Sequence, residues 1–328
     1  MNTLYPLKFE PIFKDYIWGG TKLKEKLNKD MPSSITQCAE SWEISSMQDN
    51  VSVVKNGYLA GNSLQELIEV YMGDLVGDKV YEKFGDEFPL LIKLIDATDT
   101  LSIQVHPDDE VARKKHHAYG KTEMWYIIDS EPNSEIITGF NKKTDKSTLI
   151  DSLEKKTFKE ILNIEKANKD DIFFLPAGRI HAIGKGILLA EIQQASDITY
   201  RLYDWDRKDK NGNSRELHTN MALDVIDYNR YDNYKSSIPF IENNVSKLVD
   251  SKFFKVNRLF FNKTLERDYH LIDSFVIYIC IEGKLSINYG GVETEILSKG
   301  ETILIPADLK ELTIIPFESA LILEIFIE

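Results

Sequence analysis

Residues 171–181 read DIFFLPAGRIH, and residues 301–311 read ETILIPADLKE. Each has an acidic residue, four strand-forming residues, Pro-Ala, a turn residue, two more residues and a polar end. They align without a gap at an offset of 130 residues, the size of one domain. A β-branched and aromatic run that ends at a Pro-containing turn reads as a strand stopping there. The repeat therefore predicts two related β-domains. The second copy carries Asp308 in place of Gly178 and Glu311 in place of His181, and no histidine follows His270. The C-terminal copy is expected to lack a histidine-based site.

Working outward, strand-like runs dominate. They cover Pro89–Asp96, Leu101–His106, Met124–Ile128, Asp171–Leu175, Ile187–Gln193 and Ile198–Trp205. From Phe253 onward nearly everything reads as short strands, with turns at Glu282-Gly283, Gly290-Gly291 and Lys299-Gly300. Helical patterns are few. Ser63–Leu75 has helical periodicity and a Ser63/Glu66 capping box. Pro107 is expected to open a short helix, with Asp108, Asp109 and Glu110 in its first turn. Thr148–Leu162 and His218–Asp227 suit further short helices, and residues 204–217 (DWDRKDKNGNSREL) suit a loop. The polar stretch Tyr228–Asn244 has no clear pattern. The expectation is a mainly β fold of two jelly-roll β-barrel domains with a few short helices. Residues 1–235 form a domain with helical insertions, and residues 236–328 form a C-terminal β-domain.

The chain has 328 residues, 42% hydrophobic and 28% charged, ample for a packed core. Lys plus Arg is 40 against 53 for Asp plus Glu, a net charge of −13 with no basic block. Phosphate-tracking proteins need a basic face, so no nucleic-acid partner is expected. An anionic small molecule fits, because a few basic residues dominate inside a pocket. The longest strongly apolar run, Phe275–Ile281, is far short of the ~20 residues that span a bilayer, so no membrane partner is expected. Met1–Gly20 carries charges at Lys8, Glu10, Lys14 and Asp15 and no apolar core, so no secretion signal is expected. Cys38 and Cys280 lie in opposite halves and read as two free thiols in a cytoplasmic protein. A monomer or homodimer is expected.

Six histidines are present: His106, His116, His117, His181, His218 and His270. His116 and His117 sit among lysines and read as solvated. His106 ends a strand in which Ser102, Gln104 and His106 share a face. Glu123 opens the strand EMWYII, and His181 follows the Pro176-Ala177-Gly178 turn. One amide oxygen, two imidazoles and a carboxylate make an N/O ligand set without thiolate, suited to Zn, Mn, Fe, Co or Ni. Spacing alone does not say which strands meet.

The pattern Q-V-H, then Glu, then P-A-G-x-x-H resembles the metal-binding pattern of cupins, with Gln104 in place of the usual first histidine. More specifically, the chain resembles the short bacterial form of the type I mannose-6-phosphate isomerases (phosphomannose isomerases). The resemblance rests on YIWGG (16–20), ESWEIS (40–45), FPLLIKLID (88–96), LSIQVHPDD (101–109), GKTEMWY (120–126), PAGRIHAI (176–183) and EIQQASDITYR (191–201). These blocks run in family order through the first two-thirds of the chain. The last third resembles the family only in its all-β character, and there is little room for the extra helical domain of longer members.

The resemblance implies two cupin-type domains, the second degenerate and without metal. It implies one Zn2+ per chain, held by Gln104, His106, Glu123 and His181. It also implies a small sugar phosphate as partner, and catalytic residues drawn from Lys121, Glu191, Asp197 and Arg201. An aldose–ketose isomerase moves a proton between carbons 1 and 2 through an enediolate. A metal polarises the carbonyl, Arg201 stabilises the developing negative charge, and Lys121 shares that role or holds phosphate. Glu191 and Asp197 are candidate proton carriers, alongside Lys121 and a metal-bound water. Glu191, Asp197 and Arg201 would share a face if residues 191–201 formed one strand. Trp18 is placed nearest the pocket; Trp42, Trp125 and Trp205 read as core. Ser102 and Arg179 are candidate phosphate contacts. The competing readings are another metal-dependent cupin enzyme and a sensor of another sugar phosphate. Gln104 argues against the first, and the retained Asp197 and Arg201 argue against the second.

Overall fold

The computed structural model describes residues 4–208 and 212–328. Strand-forming runs fold the described residues into three large antiparallel sheets and a two-stranded one, Ser46–Met47 with Asn50–Val51. The first has six strands in the order Ile12–Lys14, Glu40–Ile44, Leu90–Ala97, Ile187–Gln194, Glu123–Ser130, Ile172–Leu175. The second has five, in the order Tyr200–Tyr203, Ile103–Val105, His181–Ile183, Glu135–Phe140, Leu162–Lys166. The third collects the C-terminal strands from Asn244–Asp250 to Glu311–Phe326. No sheet closes on itself, so the expected barrels are open cupin-type sheets. The two central strands of the first sheet, Leu90–Ala97 and Ile187–Gln194, are buried along their whole length, which is why they read as nearly continuous apolar runs.

Several boundaries differ from expectation. The Ser63 capping box is present, and its helix runs Leu64–Val76. The helix after Pro107 starts two residues later, at Asp109, because the Asp108 side chain caps it by accepting from Val111 N. Thr148–Leu162 holds most of the helix Lys146–Glu154 and a 3-10 turn, Phe158–Ile161. The helix Asp78–Phe84 was not foreseen. Residues 228–243 contain no helix or strand. Within the expected loop 204–217, residues 209–211 lie outside the described residues.

The repeat has a structural counterpart with one difference. The strand Ile172–Leu175 recurs at the same offset as Thr302–Ile305; the first pairs antiparallel with Glu123–Ser130 and the second with Val276–Tyr289. After the turn the facing changes. His181 pairs with Gln104, and both side chains point to the space between the first two sheets. At the corresponding place Glu311 is exposed, and buried Leu312, paired with Arg267, faces inward. Gly178 has φ +86, and Asp308 is not among the left-handed residues. The turns therefore deliver their strands rotated by one residue. Arg267 Nη2 lies 2.7 Å from the fully buried Glu324 Oε1, so an ion pair fills the inside of the C-terminal sheet.

Candidate metal centre and active-site cavity

Two strands of the second sheet and one of the first deliver the candidate ligands. Gln104 sits between His181 on one neighbouring strand and Arg201 on the other. Glu123 opens its strand on the facing sheet, opposite Gln193 and Leu175. His106 follows the end of Ile103–Val105 on the face of Gln104. The ligating atoms of His106, Glu123 and His181 all lie within 4.8 Å of one another, and all three residues are buried.

The hydrogen bonds decide what this trio is for. His106 Nδ1 lies 2.8 Å from Ile198 O, and His181 Nδ1 lies 2.8 Å from Arg179 O. A carbonyl only accepts, so each Nδ1 carries the proton and each Nε2 presents a lone pair. Glu123 Oε1 is 3.1 Å from His181 Nε2, and Glu123 Oε2 is 3.6 Å from His106 Nε2. Neither carboxylate oxygen, nor His106 Nε2, completes a hydrogen bond. Buried lone pairs aimed at one another are costly unless a cation sits between them. Burial, and then Lys121 and His181, push His106 well below its ordinary pKa, toward the neutral ligating form. The Gln104 amide lies 3.4 Å from His181 Nε2, at the edge of the trio. These residues fit a divalent metal with N/O ligands.

Beside the trio lies a cavity of about 540 Å³. Gln104, Lys121, Glu191, Asp197, Arg201, Ser102 and Trp18 all line it. Arg179 does not: its guanidinium stacks on Tyr231 and Tyr234, 4.4 and 4.8 Å from the ring centroids. Glu191 and Arg201 reach the cavity by a different route from the one their parity suggested. The strand carrying Glu191 ends at Gln194, and Arg201 lies on a strand of the other sheet starting at Tyr200. The intervening turn carries Asp197 to the exposed rim. Asp197 and Arg201 form no ion pair among the described residues. Arg201 instead donates from Nη1 to Glu216 O at 2.9 Å and from Nε to Ser102 Oγ at 3.4 Å.

Lys93, Glu40, Lys14 and Arg215 also line the cavity, with no signal taken from the sequence, and Trp42, expected in the core, lies on its wall. Five cations therefore meet three carboxylates there, the reverse of the net −13 of the whole chain. Lys93 was detectable as the single charge inside FPLLIKL, since a buried lysine needs a partner. Its Nζ lies 2.9 Å from Glu191 Oε2 and 3.8 Å from Glu40 Oε2. Trp125 Nε1 donates to Glu191 Oε1 at 2.7 Å, so both Glu191 oxygens are engaged. Burial works to raise the Glu191 pKa, but Lys93 and Lys121 outweigh it and hold the carboxyl at about 2.

A prediction follows for the Lys93–Glu191 pair. Its folded-state pKa is depressed, so the stability it lends is fully present above about pH 4.3 and is lost as pH falls toward 2. Lys93→Met leaves the carboxylate buried without its nearest cation, an expected loss of about 3–5 kcal/mol. Urea unfolding at pH 7 measures that loss. The variant's stability is expected to rise as pH is lowered from 7 to 5, because a raised Glu191 pKa reverses the sign.

Open facing sheets around an inward histidine–carboxylate trio place the molecule among the cupin-type metalloproteins. Comparison with known proteins narrows that class. The catalytic-domain profile of type I phosphomannose isomerase matches residues 6–155. A mannose-6-phosphate isomerase of Bacillus subtilis is 46% identical over 226 residues, 69% of this chain and 69% of that protein. One from Streptococcus mutans is 35% identical over 312 residues, 93% of each chain. A crystal structure of mannose 6-phosphate isomerase from Bacillus subtilis superposes with a TM-score of 0.87 at 35% identity, over 98% of this chain and 99% of that one. The chain belongs to the type I mannose-6-phosphate isomerase family.

Proposed function

We propose that this chain interconverts mannose 6-phosphate and fructose 6-phosphate, with one zinc ion held by Gln104, His106, Glu123 and His181. The observation that carries the reading is the pairing of the lone-pair trio with a cationic cavity containing the Arg201 guanidinium, which has no carboxylate partner among the described residues. A zinc ion bound there supplies Lewis acidity to the substrate carbonyl and its neighbouring hydroxyl.

The remaining chemistry belongs to the chain's own side chains. Arg201, fixed through Ser102 and Glu216 O, stabilises the negative charge of the enediolate as it develops. Lys121 Nζ, buried 3.6 Å from Glu123 Oε2, adds a second positive charge on the metal side. Glu191 is held ionised with both oxygens engaged, so it shapes the field. With Lys121 serving as a cation, Asp197 is left as the side chain that takes and returns the proton. Ser102 receives the phosphate, and Trp18 forms one wall.

The C-terminal part, from residue 236, is read as a supporting domain without metal, on the strength of Leu312 and the Arg267–Glu324 pair inside it. Cytoplasmic residence is supported by Cys38 and Cys280, both buried and unpaired. No helix among the described residues is long and apolar enough to cross a membrane.

The decisive experiment follows fructose 6-phosphate formation by purified protein before and after chelation, then with zinc restored. Turnover that disappears on chelation and returns with zinc is expected. A folded, metal-loaded protein without turnover would overturn the isomerase reading and favour a sensor of another sugar phosphate.

A further inference from the structure

Asp204 lies just past the strand Tyr200–Tyr203 and is only 5% exposed. Its Oδ2 accepts from Arg215 Nε at 2.7 Å, and its Oδ1 accepts from Arg215 Nη2 and Arg207 Nη2. Arg207 is tied further out, Nη1 lying 3.4 Å from Asp99 Oδ2. A carboxylate that takes the Nε/Nη2 edge of a guanidinium fixes its plane and leaves the Nη1 edge for another anion. Among the described residues, none engages the Nη1 edge of Arg215.

Arg215 lines the cavity wall together with Arg201, Ser102 and Asp197. The returning segment is pinned to the Arg201 strand. His218 N donates to Arg201 O at 2.7 Å, and Glu216 O receives the Arg201 guanidinium. Arg215 is thereby held one residue from the point where Arg201 is anchored. Arg201 feels it: its pKa is lowered first by burial and next by Arg215. Two guanidiniums drawn together against their repulsion, with one buried carboxylate behind them, suit a doubly charged oxyanion.

We propose that Arg215 is a specificity-determining residue that binds the substrate's phosphate beside Arg201 and Ser102, and that Asp204 is its positioning residue. The proposal rests on the isomerase reading for the identity of the substrate, and on the cavity alone for the anion site. Arg215 and Asp204 then act on the phosphate side of the cavity, while the strands carry the metal ligands.

The test combines steady-state kinetics on mannose 6-phosphate with calorimetric binding of inorganic phosphate to the metal-loaded protein. Arg215→Met is expected to raise KM about tenfold or more and to weaken inorganic phosphate binding by a similar factor, with the effect on kcat under about threefold. Asp204→Asn is expected to do the same, and to add nothing in the Arg215→Met background, because it acts through Arg215. Arg215→Lys keeps the charge without the fork and is expected to restore less than half of the lost affinity. Unchanged KM and phosphate binding in Arg215→Met overturn the proposal. An Asp204→Asn effect that adds in full to Arg215→Met, or full recovery by lysine, overturns the positioning role. Parent protein that binds phosphate through Arg215 but does not turn over sinks the isomerase reading and leaves the anion site standing.

Discussion

His181→Ala is expected to lose bound metal and turnover together. The imidazole is one of three buried donors, and its Nδ1–H is already committed to Arg179 O, so only Nε2 faces the site. Removing it leaves Glu123 and His106 too few to hold a divalent ion firmly, and takes the Lewis acid out of the reaction. If that acid is worth several kcal/mol, kcat falls by roughly a thousandfold or more. Metal analysis of the dialysed protein should show far less than one ion per chain. Near-normal urea unfolding would separate site loss from misfolding. Metal retained at one per chain would contradict the ligand assignment.

Arg201→Ala should separate the two functions that His181→Ala removes together. The guanidinium lies on the strand next to Gln104 and touches no residue of the trio, so metal content is expected to stay at one per chain. Turnover is expected to fall about 10²–10³-fold, the usual cost of removing one preorganised donor from a developing oxyanion. The half-buried side chain has no ionic partner among the described residues, so its removal orphans none of their carboxylates, and stability is expected to change by less than about 1 kcal/mol. Full turnover in Arg201→Ala would remove it from the mechanism.

The site was legible where a residue stood out against its local pattern. Gln104 and His106 interrupt an apolar strand on one face, and His181 stands behind a Gly turn whose φ of +86 suits little else. Glu123 heads a strand that is otherwise apolar for five residues. Lys93 sends the same kind of signal, a lone charge inside an apolar strand. Arg215 sent none: in a polar loop its charge is unremarkable until Asp204 is seen to be buried. Arg179 misled for the opposite reason. It neighbours a metal ligand in sequence, but its side chain leaves the site and stacks between two tyrosines that lie some fifty residues onward.

By itself, the sequence determined the local choices. Periodicity set strand or helix, Ser63 and Asp108 set helix starts, and ligand chemistry limited the trio to a hard or borderline metal. These depend on neighbours within a few residues. Tertiary structure alone decided which strands meet. Glu191 and Arg201 sit ten residues apart, yet reach the cavity from facing sheets because the turn between them crosses from one sheet to the other. A one-residue rotation after the second Pro-Ala turn put Leu312, not Glu311, inside. Period-two patterning says that alternate residues share a face, but which face is inward is set by packing between sheets, a contact between residues far apart in the chain.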